Sequence, residues 1–214
     1  MISFYLIIKI EKKRGNYHAK HYRTYRISRI NGLPIRHTQS PTTHNLAYDK
    51  NGDDVIQLAF EVDNDTLEAA VESIRALKML GSNISMPNKT VVHKYLDEVD
   101  EAAKLCGAIN TVVNTRDKDG NVTGYLKGYN TDGMGYWQGI KEEGIDFKGM
   151  KMVLIGTGGA ATAIAVRGAL DGIAELYIFN IKDNSMHAAR RSLISSTRTL
   201  TARPRCMTWV IWHS

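Results

Sequence analysis

The sequence predicts an α/β protein in two units, an N-terminal α/β domain followed by the opening of a second, parallel α/β domain, and three observations carry that reading. Strand-like and helical apolar periods alternate between residues 55 and 143. An Asp119-Gly120 turn joins two strand-like runs into a hairpin. A short apolar strand, a glycine-rich loop, a small-residue helix and another apolar strand then follow between residues 151 and 179.

Taken in order, Val55 to Val62 reads as a strand, and from Asp65 the residues Leu67, Ala70, Val71, Ile74 and Leu77 recur at helical spacing until Gly81. A second strand is expected at Asn83 to Met86, stopped by Pro87, with helical stretches after Lys89 and from Val99 to Leu105. Ala108 to Asn114 and Val122 to Gly128 form the hairpin arms. A helix runs from Thr131 to about Glu143, and Gly144 to Gly149 connects to the strand Lys151 to Ile155. Order is expected to begin near Leu33. This divides the chain into an atypical basic segment 1–32, a substrate-binding and catalytic domain 33–148, a first βαβ unit 149–183 and an atypical basic tail 184–214.

The net charge of +6 does not indicate a nucleic-acid binder once it is mapped. Residues 1–36 carry +8 and residues 184–214 carry +5, so the body between them is acidic at −7. A nucleic-acid footprint places its basic patch on the folded domain. The opening run Met1 to Ile10 is interrupted by Lys9 and far shorter than a membrane span, and it lacks a small-residue cleavage site. No nucleic acid and no membrane are expected as partners. Cys106 and Cys206 stand far apart without metal-ligand spacing, so neither a disulfide framework nor a metal site is indicated, and a cytoplasmic setting fits best.

The loop Gly156-Thr157-Gly158-Gly159-Ala160-Ala161 lies between a strand and a helix, the context that gives a glycine pattern meaning. Gly156 suits the tight turn, Gly158 the close approach of a pyrophosphate to backbone N–H groups, and Ala161 close helix packing. The plain alternative is a glycine-rich turn without a ligand. Past the second strand, Asn180, Ile181, Lys182 and Asp183 stand where a ribose would lie. An acid there favours NAD and a cation favours NADP, so Lys182 and Asp183 leave both open.

Polar residues gather at expected loop and strand ends in the first domain: Thr38 and Ser40 before Pro41, Ser85 and Lys89 around Pro87, Asn110 and Thr111, then Asn130, Thr131 and Asp132. Each also has an ordinary structural reading, such as Asn130 or Thr131 as a helix cap and Lys89 as a surface charge.

Together they resemble the shikimate and quinate dehydrogenases from Leu33 to Asp183. The resemblance rests on Pro34-Ile35-Arg36-His37-Thr38-Gln39-Ser40-Pro41, Asn83-Ile84-Ser85-Met86-Pro87-Asn88-Lys89, Gly107-Ala108-Ile109-Asn110-Thr111, Gly128-Tyr129-Asn130-Thr131-Asp132-Gly133 and the glycine loop, in that order. It implies an N-terminal α/β substrate domain and an incomplete Rossmann-type nucleotide-binding domain. It also implies oxidation of shikimate or quinate with NAD or NADP, as in aromatic amino acid biosynthesis or quinate metabolism, and it allows a homodimer.

By resemblance Lys89 and Asp132 are the catalytic pair, Thr38 and Ser40 bind the substrate carboxylate, and Ser85, Asn110 and Asn130 hold ring hydroxyls. The cofactor would contact Gly156, Thr157, Gly158, Gly159, Ala160, Asn180, Lys182 and Asp183. Thr38 replaces the usual serine and keeps the hydroxyl. Ile181 stands where the family often has arginine.

After Asp183 no core-forming period is evident, although Trp209, Val210, Ile211 and Trp212 are apolar. Met207 to His213 matches the shifted-frame reading of codons for Tyr-Asp-Leu-Gly-Asp-Leu-Ala, a stretch that family members often carry, and Ile30 to Leu33 matches a shifted reading near the front. Truncation or frameshift at both ends is the expectation, and with it weak or absent catalysis. The alternatives are an inactive fragment and a small hydroxy-acid binding module.

Overall fold

The computed structural model describes residues 26–181 and 206–212. A six-stranded mixed sheet has the order β2-β1-β3-β5-β6-β4, with β1 at Arg26–Gly32, β2 at Val55–Glu61, β3 at Gly81–Ile84, β4 at Glu98–Val99, β5 at Thr111–Arg116 and β6 at Val122–Tyr129. Strands β1, β2 and β3 run parallel, and β5 and β6 form the antiparallel hairpin around Gly120. Helix α1 (Ser40–Asn51) follows β1, α2 (Leu67–Ala76) follows β2, and α3 (Glu101–Cys106) precedes β5. Helix α4 (Asp132–Glu142) leads into a second sheet, β7 (Lys151–Ile155), α5 (Gly159–Asp171) and β8 (Glu175–Ile181), with β9 (Cys206–Trp212) parallel to β8.

The elements follow the residue pattern. Leu67, Val71 and Ile74 place one apolar stripe of α2 on the sheet, where it packs with Ile84, Val92, Ile109, Val112 and Leu126. In the second unit Ala165 and Val166 of α5 cover Leu176 and Ile178 of β8. Val153 and Ile155 of β7 remain exposed at 61% and 85%.

Three expectations are corrected. Order does not begin at Leu33, because Arg26–Gly32 forms a strand paired on both sides, with β2 and β3. Two polar residues there face the core: Arg29 donates to Ser73 Oγ at 2.8 Å and to the Ala70 carbonyl, and Asn31 is wholly buried with neither side-chain polar atom partnered. Burial pushes the Arg29 guanidinium down to about 10. A buried strand of this composition escapes a reading by apolar pattern. Helix α1 escapes it too, since none of its residues is buried and Pro41 and the left-handed Gly52 are its clearest signals. The expected C-terminal tail includes the strand Cys206–Trp212, paired in register with β8 from Glu175↔Cys206 to Ile181↔Trp212. A smaller shift moves β3 two residues earlier, to Gly81–Ile84.

Candidate active site

The site forms where the ends of β1, β3 and β6 meet the start of β5. Gly32 ends β1 so close to Ser85 that a Cβ would lie 2.7 Å from the Ser85 Cβ, and Leu33 N–H donates to the Met86 carbonyl at 3.0 Å. A glycine is needed for that approach. It brings the 33–41 loop beside the 85–89 loop. Within the first loop the Ser40 N–H donates to Thr38 Oγ1 at 3.2 Å, and Ser40 opens α1.

Lys89 sits in a 3-10 turn at Asn88–Thr90. Its carbonyl accepts from Ile109 N–H at 2.8 Å, and the buried Asn88 amide donates to the Val62 carbonyl at 2.8 Å. The turn is thereby held at both flanks. Lys89 Nζ lies 3.2 Å from Asp132 Oδ2, with the two side chains 28% and 39% exposed, so a ligand can reach both.

Asn110 organises the carboxylate. Its Nδ2 donates to Asp132 Oδ1 at 2.7 Å, and its Oδ1 accepts from Thr131 N–H at 3.0 Å and from Thr111 Oγ1 at 2.9 Å. Asn130 donates to the Ala108 carbonyl at 3.0 Å and accepts from Asp132 N–H at 3.1 Å. Both Asn130 polar atoms thus serve the loop and the start of α4. Thr38, Ser40, Ser85, Lys89, Asn110 and Asp132 come from stretches far apart in sequence and line adjoining loops. The sequence places Thr111 and Thr131 among the clustered polar residues, with Thr131 as a helix cap, but assigns neither to the site. The signal was their place beside Asn110 and Asp132 in the same two motifs. Cys106 lies nearby, and burial, with the charges of Asp132 and Asp100, pushes its thiol up to about 12.

The glycine loop is joined to this site through helices α4 and α5. A Cβ on Gly133 would collide with the Ala163 carbonyl oxygen, and a Cβ on Gly168 would lie 2.7 Å from Trp137. Trp137 Nε1 donates to the Ile164 carbonyl at 2.9 Å. Gly156 turns the chain at φ +100° and donates to the Phe179 carbonyl at 2.8 Å. Added Cβ atoms on Gly156, Gly158 and Gly159 would meet nothing within 4 Å, so open space lies over the loop. The first turn of α5 carries no acid, and its leading N–H groups have no intrahelical acceptor. Such a cradle fits a pyrophosphate. Thr157 is buried. Lys182 and Asp183 lie outside the described residues, and for Asn180 only the backbone in β8 is described.

Residues 30–112 match the shikimate dehydrogenase substrate binding domain. A quinate/shikimate dehydrogenase of Escherichia coli (strain SMS-3-5 / SECEC) is 50% identical over 159 residues, 74% of this chain and 53% of that protein. Over its matched part, this chain is similar to the shikimate/quinate dehydrogenases. The chain spans about half the length of the curated relatives it matches. Among solved structures, the shikimate 5-dehydrogenase of Listeria monocytogenes in complex with shikimate and NAD superposes with a TM-score of 0.79 at 42% identity, over 87% of this chain and 61% of that one. A shikimate dehydrogenase in complex with NADP+ gives 0.73 at 30% identity, over 86% and 61%. Both carry the family's mixed α/β architecture. No helix among the described residues is long and apolar enough to cross a membrane, and no cluster of metal-ligating side chains occurs among them.

Proposed function

We propose that the site serves reversible oxidation of shikimate or quinate, with NAD or NADP, in a cytoplasmic setting. The observation that carries this reading is the Lys89–Asp132 pair at 3.2 Å with Asn110 on the far carboxylate oxygen. Gly156–Ala160 would hold the pyrophosphate of a nicotinamide dinucleotide, which would supply the hydride acceptor or donor. The rest is the work of this chain. Thr38 and Ser40 hydroxyls receive the substrate carboxylate, and Ser85 faces the ring hydroxyls. Asn110 fixes Asp132, and Asn130 fixes the loop that carries it. Asp132 orients both the Lys89 ammonium and the substrate hydroxyl, and the proton of that hydroxyl passes through this pair. Asn180, Lys182 and Asp183 would meet the ribose end. The partner is a small polyhydroxylated carboxylate, with no nucleic acid, and a homodimer is the assembly proposed.

Absorbance at the NAD(P)H band with shikimate or quinate and each cofactor is the test. Turnover that is lost in Lys89→Ala supports the reading, and turnover that survives in Lys89→Ala overturns the assignment of the pair. A second reading, a hydroxy-acid binding module with weak or absent turnover, is favoured by the three-stranded extent of the second sheet among the described residues. Calorimetry with shikimate and no cofactor separates it: binding without turnover selects the module.

A further inference from the structure

A cleft of about 340 Å³ opens beside Lys89, between the 3-10 turns that follow Pro87 and helix α3. Val99, Ala103, Ala108 and Ile109 make an apolar floor, and Lys89, His93 and Lys104 stand around it. None of Thr38, Ser40, Ser85, Asn110 or Asp132 lines it. Ala103 and Ile109 are 1% and 2% exposed, whereas His93 and Lys104 are open to solvent, so the cleft is dry at its base and cationic at its mouth.

Three nearby carboxylates are already engaged. Asp100 accepts from Ala102 N–H at 3.0 Å, Asp132 pairs with Lys89 at 3.2 Å, and Glu98, which lies within electrostatic reach of Lys104, takes Lys127 at 2.7 Å. An apolar floor with converging donors, at the small end of the range of ligand pockets, suits one six-membered ring carrying one anionic group. We propose that this cleft is a second small-molecule site, which takes a flat ring carboxylate: ring against Ala103 and Ile109, carboxylate toward Lys104 and His93. The assignment stands whether or not Lys89 and Asp132 turn over a substrate.

The test is a two-dimensional NMR titration of the full chain with benzoate, benzyl alcohol and inorganic phosphate. Benzoate is expected to shift the amides of Ala103, Gly107, Ala108 and Ile109 to saturation. Benzyl alcohol lacks the charge and phosphate lacks the ring, so each is expected to bind at least about fivefold more weakly. Lys104→Glu, an exposed change on α3, is expected to weaken benzoate by about the same factor and leave the shikimate titration unchanged. The proposal is overturned by any of three results: no saturable shift, shifts confined to Thr38–Ser40 and Asn130–Asp132, or equal benzoate affinity in Lys104→Glu.

Discussion

The Asn110 side-chain amide donates to Asp132 Oδ1 at 2.7 Å, on the oxygen opposite the one that meets Lys89. Asn110→Asp would set a second carboxylate there. Like charges at this range repel, and the donor that holds Oδ1 is lost. Turnover is expected to fall in Asn110→Asp and to fall less in Asn110→Ser, whose hydroxyl can still donate. Unchanged turnover in Asn110→Asp would show that the contact does not position Asp132.

Gly133→Ala tests the joint between α4 and α5. The added methyl meets backbone, the Ala163 carbonyl, and so cannot be relieved by a side-chain rotation. A loss of about 1–3 kcal/mol in chemical denaturation is expected. Trp137 fluorescence should change with it, because the Trp137 indole bonds to Ile164 on the same helix pair.

Asn31→Val is expected to stabilise the first domain. Both polar atoms of the Asn31 side chain are buried without partners, a condition that costs about 1–3 kcal/mol. Thermal or denaturant unfolding reads the gain, and a variant less stable than the parent chain would mean that the site has no room for the second methyl.

Cys106 is expected to be inert. With its thiol raised from 9.0 to about 12, the thiolate fraction at pH 8 falls roughly a thousandfold, and iodoacetamide labelling of Cys106 in the native chain should be correspondingly slow. Mass spectrometry of the labelled peptides, native against denatured, gives the ratio.

Asp97 supplies an acid-sensitive contribution. It accepts from Leu126 N–H at 2.6 Å and from Arg75 at 2.8 Å, and these bonds, the backbone one foremost, lower its carboxyl below the ordinary 3.8. A depressed carboxylate stabilises the fold above its unfolded pKa and loses that effect as pH falls through the folded one. Asp97→Asn should therefore cost less than about 1 kcal/mol at pH 7, the side chain being 36% exposed, and the gap should close as pH falls below about 4.

The parts of the fold that were legible in the sequence are those where side chains repeat with the period of their element. The stripe Leu67, Val71, Ile74 announced α2, and Lys151 to Ile155 announced β7 to the residue. β1 was hidden because Arg29 and Asn31 occupy inward positions that an apolar pattern reserves for Val or Ile, and α1 because Leu46, Ala47 and Tyr48 are consecutive and form no apolar stripe. In the site, motifs placed Lys89 and Asp132, but spacing along the chain says nothing of which amide of Asn110 faces which oxygen. That orientation is set by Thr111, at the start of β5, and Thr131, between β6 and α4, which meet only after the hairpin closes.

The contact of Gly133 with Ala163 also bears on how the two sheets can move. Asp132, which holds Lys89, is the immediate neighbour of Gly133, and Ala163 is one turn into the helix that opens at the glycine loop. Together with Trp137 on Ile164 and Gly168, that contact ties the start of α4 to α5 at two points one turn apart. A displacement of either sheet against the other therefore has to carry the carboxylate and the glycine loop with it as one piece.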